Sequence, residues 1–424
     1  MYNQWLLLLM KYLLVLFFIL ALILGYFISR PKTSIEQPDI KASSYVWDVT
    51  SIDTMKYSRD VARQEANDAS FDQTIEKQVK DIAKTGATHV AIGTPYNDEF
   101  VPFMKRWIDA IRKENMHVWF RGNASGWEGW FEYPKIGRAE HTKQVVQFIK
   151  KHQELFASGD IFSSCPECEN GGPGDPRNTK DKENYRAFLI TEYHEVQSMF
   201  NLLGIDVASN YFSMNGDVAK LIMDKPTTKS LDGLVVIDHY VKTPDKLVTD
   251  IDALAKQSGG KIVLGEWGAP IPDIHGKMNE QDQSKWIHEA LSKLYKNKNV
   301  VGLNYWTGYG SSTAIWNDDG TERKAVSDIS LYFKPISKSG ILVDELNDPI
   351  SDVSITSERV AVKSSPNGTF IVPPVPDHSV IMFEKDGYGT ISMLISDIPN
   401  RIVLIRSKED MLFKIRKTLQ TFVP

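Results

Sequence analysis

The chain alternates short apolar runs with helical patterns eight times between Tyr45 and Phe333, and the first and fifth runs are Tyr45–Val49 and Asp206–Phe212. The apolar runs have the length of buried strands, and the segments between them carry apolar side chains at helical spacing. Repeated units of a strand and a helix form a parallel sheet with the helices packed outside it. Eight such units predict an α/β fold, a (β/α)8 TIM barrel, in residues 45–335. No glycine-rich phosphate turn follows the first run, which argues against a doubly wound open sheet.

Two of the eight runs end on a glutamate. The run that begins at Asp160 leads to Glu167, and the run from Lys261 to Gly268 contains Glu266. Because the carboxyl ends of barrel strands surround one mouth, these two side chains are expected to share a cleft. Paired carboxyl groups about 5 to 5.5 Å apart cleave glycosidic bonds with retention of configuration, and pairs about 6.5 to 9.5 Å apart do so with inversion. The sequence therefore predicts a carboxylate pair without fixing its separation.

Three short motifs at strand ends resemble those of the clan A glycoside hydrolases, which are retaining (β/α)8 enzymes. The motifs are Asp238-His239-Tyr240, Gly265-Glu266-Trp267-Gly268 and Asn304-Tyr305-Trp306. In that clan the acid/base glutamate ends strand four and the nucleophile ends strand seven. The resemblance implies that Glu167 is the acid/base and Glu266 the nucleophile. It further implies that Tyr240 donates a hydrogen bond to the nucleophile and that Trp306 floors a sugar subsite.

The stretch around Glu167 departs from the clan at one position. Pro166 stands where the clan usually has an asparagine that contacts the sugar 2-hydroxyl. Glu169, which precedes Asn170, is therefore an alternative acid. Glu167 is preferred because it follows the strand directly, whereas Glu169 lies further into the loop. The departure also keeps open a second interpretation, in which the barrel is a catalytically inactive glycan-binding or cell-surface scaffold protein.

Two further polar side chains at strand ends have a functional and a structural interpretation. Arg121 ends the third run and could orient Glu266 and keep it ionised through a charge-assisted bond. A structural ion pair is the equal alternative. His239 could contact sugar hydroxyls, and a hydrogen-bonded histidine without substrate contact is its alternative.

Tryptophans at strand ends or in loops are candidate sugar platforms, because flat aromatic faces pack against sugar rings. This group comprises Trp127, Trp130, Trp267 and Trp306. Trp119 lies within a strand, and it is assigned to the core instead.

The two cysteines of the chain, Cys165 and Cys168, flank Pro166 and Glu167. A thioredoxin-like CxxC motif belongs to a different fold, and a zinc site would need two further ligands that the loop does not obviously offer. If the domain lies outside the cytoplasm, the simplest expectation is a small disulfide that stiffens the Glu167 loop. We predict no metal and no cofactor.

The N-terminal segment contains an uncharged apolar run from Tyr12 to Ser29, which is long enough to cross a bilayer as a helix. Lys11 precedes the run, and no small-residue cleavage site comes before Arg30, so residues 1–30 are predicted to be an uncleaved signal anchor. A cleaved signal peptide is the alternative. Residues 31–44 are a predicted linker, and the barrel is expected on the extracytoplasmic side of a single-pass membrane protein.

After Pro335 the sequence pattern changes to short runs in which apolar and polar residues alternate, separated by Asn-Asp-Pro and Pro-Asn-Gly turns. This pattern predicts a small all-β sandwich in residues 336–407. Gly340-Ile-Leu-Val343, Gly368-Thr-Phe370 and Gly387-Tyr388 resemble the recurring pieces of carboxypeptidase regulatory-like modules of the transthyretin type. Residues 408–424 could form a basic amphipathic helix or a frayed terminus.

The charges of the chain are evenly spread, with 49 basic and 54 acidic residues. The sequence therefore has no basic cluster of the kind that binds nucleic acid. The expected partners are a carbohydrate substrate and, through the N-terminal helix, a membrane, and the oligomeric state is left open. Together these patterns predict a membrane-anchored retaining glycoside hydrolase.

Overall fold

The computed structural model describes residues 46–127, 129–407, 414–415 and 418. The predicted anchor and linker therefore lie outside the described residues, as does most of the predicted C-terminal tail. Within the described part of the chain, no helix combines the length and apolar character needed to span a bilayer.

Eight parallel strands form one curled sheet. The strands are β1 (Val49–Asp53), β2 (His89–Ile92), β3 (His117–Phe120), β4 (Ile161–Phe162), β5 (Ser213–Asn215), β6 (Leu234–Asp238), β7 (Lys261–Trp267) and β8 (Val300–Tyr305). Their order is β4-β3-β2-β1-β8-β7-β6-β5, so the first strand pairs with the last. Ile161 of β4 forms an isolated parallel bridge with Ala208, in the segment that leads to β5. The predicted α/β class and barrel-like sheet are confirmed.

Helices connect successive strands and bury their apolar faces against the sheet. They are α1 (Met55–Ser58), α2 (Ala62–Glu65), α3 (Asp72–Lys84), α4 (Val101–Lys113), α5 (Arg138–Lys151), α6 (Cys168–Gly171), α7 (Pro176–Thr179), α8 (Lys182–Leu203), α9 (Gly216–Ile222), α10 (Lys225–Ser230), α11 (Pro244–Ser258), α12 (Pro272–His275), α13 (Glu280–Lys296) and α14 (Ala325–Phe333). Side-chain caps define several helix starts. Thr243 accepts a hydrogen bond from Lys246 N at the start of α11, and Asn279 accepts one from Asp282 N at the start of α13.

The interior of the curled sheet contains an apolar layer with a polar layer above it. The apolar layer includes Val49, Trp119, Val236 and Val263, each from a different strand. Successive inward positions on a strand are two residues apart, so the chain places Arg121 above Trp119 and Asp238 above Val236. The site described below is built on this polar layer.

Two predicted strands lie elsewhere than expected. The first was expected at Tyr45–Val49, but β1 spans Val49–Asp53. The fifth was expected at Asp206–Phe212, but that segment pairs with β4 only through Ala208, and Ser213–Asn215 pairs with β6. Both errors arise because a buried parallel strand has no alternating pattern that fixes its ends.

After α14 the chain forms two small antiparallel or mixed sheets. Their strands are β9 (Ile336–Val343), β10 (Ser354–Thr356), β11 (Ala361–Lys363), β12 (Thr369–Val375), β13 (Val380–Glu384), β14 (Ile391–Leu394) and β15 (Arg401–Val403). One sheet has the order β11-β10-β13-β14 and the other β12-β9-β15. Both sheets contribute to one apolar core, in which Phe370 of β12 packs against Phe383 of β13. The predicted all-β character of this part is confirmed.

Candidate active site

Arg121 lies at the centre of the polar layer and is completely buried. Its Nη1 pairs with Asp53 Oδ2 at 2.6 Å, and its Nη2 pairs with Glu266 Oε1 at 3.0 Å and with Asp238 Oδ2 at 3.4 Å. The Nη2 atom also donates to Ser213 Oγ at 3.2 Å. One guanidinium therefore holds carboxyl groups from the ends of three strands.

Both carboxyl oxygens of Asp53 accept hydrogen bonds. Its Oδ2 accepts from Arg121 and from Asn304 Nδ2 at 3.0 Å, and its Oδ1 accepts from Met55 N at 2.6 Å. Asn304 also donates to Gly265 O at 2.8 Å. Asp53 is not among the residues predicted from the sequence, because the first apolar run ends before it. The two-residue alternation from Val49 through Ser51 would have indicated Asp53 once β1 was located correctly.

Glu266 faces the interior because β7 is irregular at Gly265. The pairing of β7 with β6 shifts register between Ile237 and Asp238, and its pairing with β8 shifts between Leu264 and Trp267. Such a β-bulge lets two consecutive positions share one side of a strand. Glu266 then receives the Arg121 ion pair at one oxygen and a hydrogen bond from Tyr240 Oη at the other, at 2.9 Å.

Glu167 approaches Glu266 from a loop beyond β4. The strand ends at Phe162, and Glu167 follows with a left-handed backbone, at φ 47° and ψ 46°. Oxygens of the Glu167, Asp238 and Glu266 carboxyl groups all lie within 4.8 Å of one another. Asn170 Nδ2 donates to Glu167 Oε1 at 3.1 Å. The expected disulfide between Cys165 and Cys168 is present in this loop.

Glu169, the alternative acid, points into a different environment. It is 7% exposed, and its Oε1 accepts from Asn215 N at 2.6 Å. Its Oε2 is buried with no hydrogen-bond partner among the described residues. Burial raises the pKa of Glu169 to about 7, and the nearby Glu167 charge adds to the increase. Among the described residues, Glu167 and not Glu169 belongs to the group with Asp238 and Glu266.

The charge balance indicates which carboxyl group keeps a proton. Three buried carboxyl groups face one guanidinium, and full ionisation would leave uncompensated negative charge. Burial raises the pKa of Asp238 well above its usual value, and the Glu266 charge raises it further. Asp238 also has the longest contact to Arg121, and its Oδ1 has no partner in the described part of the chain. Of the three carboxyl groups facing Arg121, Asp238 is the one whose burial and contacts most favour the protonated form.

The charged form of Glu266 is better stabilised than that of Asp238. Burial raises its pKa to about 7, while Arg121 opposes the increase and the Tyr240 hydroxyl also lowers the pKa. Two donors thus hold the charged form of Glu266. The group can accept a proton near neutral pH and is a carboxylate above it.

The remaining predicted contacts divide into near and distant residues. Trp306 is half-buried, with its ring centroid 6.1 Å from that of Tyr240, next to Glu266. His239 points the other way, because it alternates with Asp238 and Tyr240, and its Nε2 lies 2.9 Å from Asp250 Oδ2 on α11. The structural alternative for His239 fits this geometry.

The predicted subsite role of Trp267 needs correction. Trp267 is completely buried and packs against Trp286 and Tyr305 in the core between sheet and helices. The bulge that turns Glu266 inward leaves Trp267 facing outward. Trp119 is completely buried as expected.

Trp127 and Trp130 lie in the loop after β3, beside Arg59. The guanidinium carbon of Arg59 is 5.0 Å from the Trp127 ring centroid and 4.6 Å from that of Trp130. Trp127 is buried, whereas Trp130 is 52% exposed. Trp130 is therefore the one of this pair with a free aromatic surface large enough for a sugar ring.

The three carboxyl groups of Glu167, Asp238 and Glu266 are, in the described part of the chain, the one group of acidic, histidine or cysteine side chains close enough to hold a metal ion. Arg121 already supplies a cation to Asp238 and Glu266. A divalent ion at this point would face the guanidinium, so the arrangement suits a proton-transfer site better than a metal centre.

No protein-family model matches the chain, and no curated protein matches it. Solved structures with a similar fold include β-glucuronidase 3 of Bacteroides uniformis, at 12% identity over 78% of this chain and 47% of that one, with a TM-score of 0.43. A GH2 β-galacturonidase from Eisenbergiella tayi has 15% identity over 68% and 51%, with a TM-score of 0.46. A GH5_18 protein from Bifidobacterium longum has 11% identity over 71% and 84%, with a TM-score of 0.49.

The chain resembles these three proteins in fold. It spans about half the length of the first two of these proteins. These likenesses assign no activity to it.

Replacing Arg121 by methionine is expected to destabilise the fold by about 3 to 5 kcal/mol, because three buried carboxyl groups would lose their cation. The denaturant midpoint of unfolding measures this change. Lys143→Met is the matched control, since its ion pair with Glu140 lies at the surface. A midpoint for Arg121→Met equal to that of the control would contradict the central role of Arg121.

Replacing Glu169 by glutamine is expected to change how stability depends on pH. The folded-state pKa of Glu169 is raised from 4.5 to about 7, so the folded wild type binds more protons than the unfolded chain between these values. Its stability therefore falls as pH rises through this window. Glu169→Gln lacks this loss, and its unfolding midpoint should rise relative to wild type from about pH 4.5 to 7 and stay constant above. Parallel pH curves for the two proteins would show that Glu169 titrates normally.

Proposed function

We propose that the chain is a retaining glycoside hydrolase that cleaves O-glycosidic bonds of an oligosaccharide or polysaccharide by double displacement. The observation that carries this proposal is the approach of the Glu167 and Glu266 carboxyl oxygens to within 4.8 Å. Retaining enzymes hold their carboxyl groups about 5 to 5.5 Å apart, whereas inverting enzymes need about 6.5 to 9.5 Å to admit a water molecule. The short separation favours direct attack on the sugar.

In the first step Glu266 attacks the anomeric carbon and Glu167 gives its proton to the departing oxygen. Glu266 suits the nucleophile role because Arg121 and Tyr240 stabilise its carboxylate, at 3.0 and 2.9 Å. The step forms an ester between Glu266 and the sugar and releases the leaving group as an alcohol. Glu167 is the proton donor because its side chain is partly exposed where a leaving group would depart.

In the second step Glu167, now a carboxylate, takes a proton from a water molecule that attacks the anomeric carbon. The ester bond breaks, the sugar leaves with its configuration retained, and Glu266 regains its charge. Arg121 pairs with the restored Glu266 carboxylate without moving, since Asp53 and Asp238 hold its guanidinium in place. A fixed cation lowers the reorganisation needed at each step.

The carbohydrate partner would bind against aromatic surfaces at the open side of this cluster. Trp306 lies beside Tyr240, and Trp130 offers an exposed ring. We further propose that residues 12–29 anchor the protein in a membrane, with the barrel on the extracytoplasmic side. The Cys165–Cys168 disulfide supports that location, because disulfides persist in oxidising compartments.

Glu266→Gln is expected to abolish hydrolysis, and Glu167→Gln should slow it by about 10² to 10⁴-fold on substrates whose leaving groups need a proton. An activated 2-fluoro-glycoside panel tests the nucleophile, because a slow second step should trap a covalent adduct on Glu266 that peptide mass spectrometry locates. Glu169→Gln is the matched control and should keep the wild-type rate.

Two results would oppose this assignment. Wild-type turnover by Glu266→Gln would show that Glu266 is not the nucleophile. A product of inverted configuration in a proton NMR time course would rule out double displacement. Glycan binding without adduct or turnover would support the scaffold interpretation instead.

Asp238→Asn is expected to keep the rate within about tenfold of wild type, a barrier change of about 1.4 kcal/mol. The amide matches the shape of the neutral acid that Asp238 provides. Asp53→Asn is the comparison, and it should lose more activity because it replaces the carboxyl group that makes the shortest contact to Arg121 and also accepts from Asn304. A loss for Asp238→Asn as large as that for Glu266→Gln would show that Asp238 acts as an anion.

A further inference from the structure

Glu167 has a left-handed backbone conformation, with φ at 47°, which residues other than glycine rarely adopt. Such residues persist only where the surrounding structure over-determines them, and they cluster at active sites. The elements that hold Glu167 in this conformation therefore bear on what its carboxyl group can do.

A disulfide closes directly around the residue. Cys165 and Cys168 are bonded, with their Cα atoms 5.1 Å apart, and Pro166 and Glu167 lie between them. The pair is packed against the chain that follows, since a Cβ on Gly172 would lie 2.7 Å from Cys165 Sγ and 2.8 Å from Cys168 Sγ. Because Gly172 has no Cβ, the disulfide can pack directly against the backbone at this residue.

The other contacts of the turn are hydrogen bonds. Glu167 N donates to Ser213 O at 2.8 Å, and Glu167 O accepts from Asn170 N at 2.8 Å and Gly171 N at 3.0 Å. The helix α6 that begins after Glu167 is only four residues long. A single helical turn has little stability of its own. The covalent link is therefore the strongest constraint on the position of Glu167.

We propose that Cys165 and Cys168 are positioning residues for the acid/base, so that reduction of their disulfide switches off proton transfer by Glu167. This inference rests on the glycosidase function proposed above. The nucleophile would stay intact, because Glu266 is fixed by Arg121 and Tyr240 on the sheet. The oxidised protein is the active form, and a reducing environment turns it off.

The switch reaction is thiol–disulfide exchange with a dithiol. One thiolate of the dithiol attacks a cysteine sulfur and forms a mixed disulfide, and its second thiol then displaces the protein. The dithiol loses two electrons and becomes a disulfide, and Cys165 and Cys168 gain them as thiols. Reoxidation by glutathione disulfide reverses the change.

The test compares the oxidised full chain, the chain reduced with dithiothreitol, and the Cys165→Ser/Cys168→Ser variant. Alkylation followed by mass spectrometry counts the free thiols in each sample. Two aryl glycosides of the same sugar separate the steps, because a dinitrophenol leaves without a proton and a methoxyphenol needs one. We expect kcat/KM for the methoxyphenyl glycoside to fall by at least about tenfold on reduction, since small misplacements of a catalytic group are costly.

The same reduction should leave kcat/KM for the dinitrophenyl glycoside unchanged, and glutathione disulfide should restore the lost rate. The serine variant should have the same kcat/KM values as the reduced protein, and dithiothreitol should not change them. This variant tests the inference even if the buried disulfide resists reduction. Equal rates for the oxidised chain and the serine variant would overturn the inference and leave the glycosidase in place. A parallel loss on both substrates would indicate a general structural role and also overturn it. Absence of turnover in every sample would refute the proposed function and the inference with it.

Discussion

The buried guanidinium of Arg121 is the interaction on which the candidate site depends. A cation in the interior is costly unless it is paired and hydrogen-bonded, and Arg121 meets both conditions through Asp53, Asp238 and Glu266. These partners come from β1, β6 and β7, so the ends of three strands must meet at one height. The ion pairs thereby couple the register of the sheet to the geometry of the carboxyl groups.

Gly265 makes this convergence possible. A Cβ at this position would lie 2.5 Å from Asp238 Oδ1 and 2.8 Å from Ser213 Cβ, which is closer than any side chain allows. With glycine there, β7 can bulge and direct Glu266 inward while Asp238 keeps its own inward position. The Gly-Glu pair that ends this strand is therefore one structural unit, in which the first residue provides space and the second provides the charge.

The sequence alone predicted the number of strand and helix units, the two glutamates and the arginine, because apolar runs and the residues that end them are local signals. It missed Asp53, since a buried parallel strand reads as a continuous apolar run whose ends are not marked. It placed Trp267 in a subsite, since a bulge changes which side of the strand a residue faces and leaves no pattern in the sequence. It did not indicate that the pKa of Asp238 is raised, because the shift depends on burial and on how many carboxyl groups share one cation.

The loop at Glu167 is held by the covalent geometry of its neighbours. Pro166 lacks the amide that the resembling enzymes use beside their acid/base, but its ring fixes its own backbone φ. The adjacent disulfide then restrains the following residue from both sides. Within the three-carboxyl group, Glu167 is the residue with a left-handed backbone, and it is the one that the disulfide encloses. In this arrangement covalent geometry sets the position of Glu167, the proposed acid, whereas charge sets the position of Glu266, the proposed nucleophile.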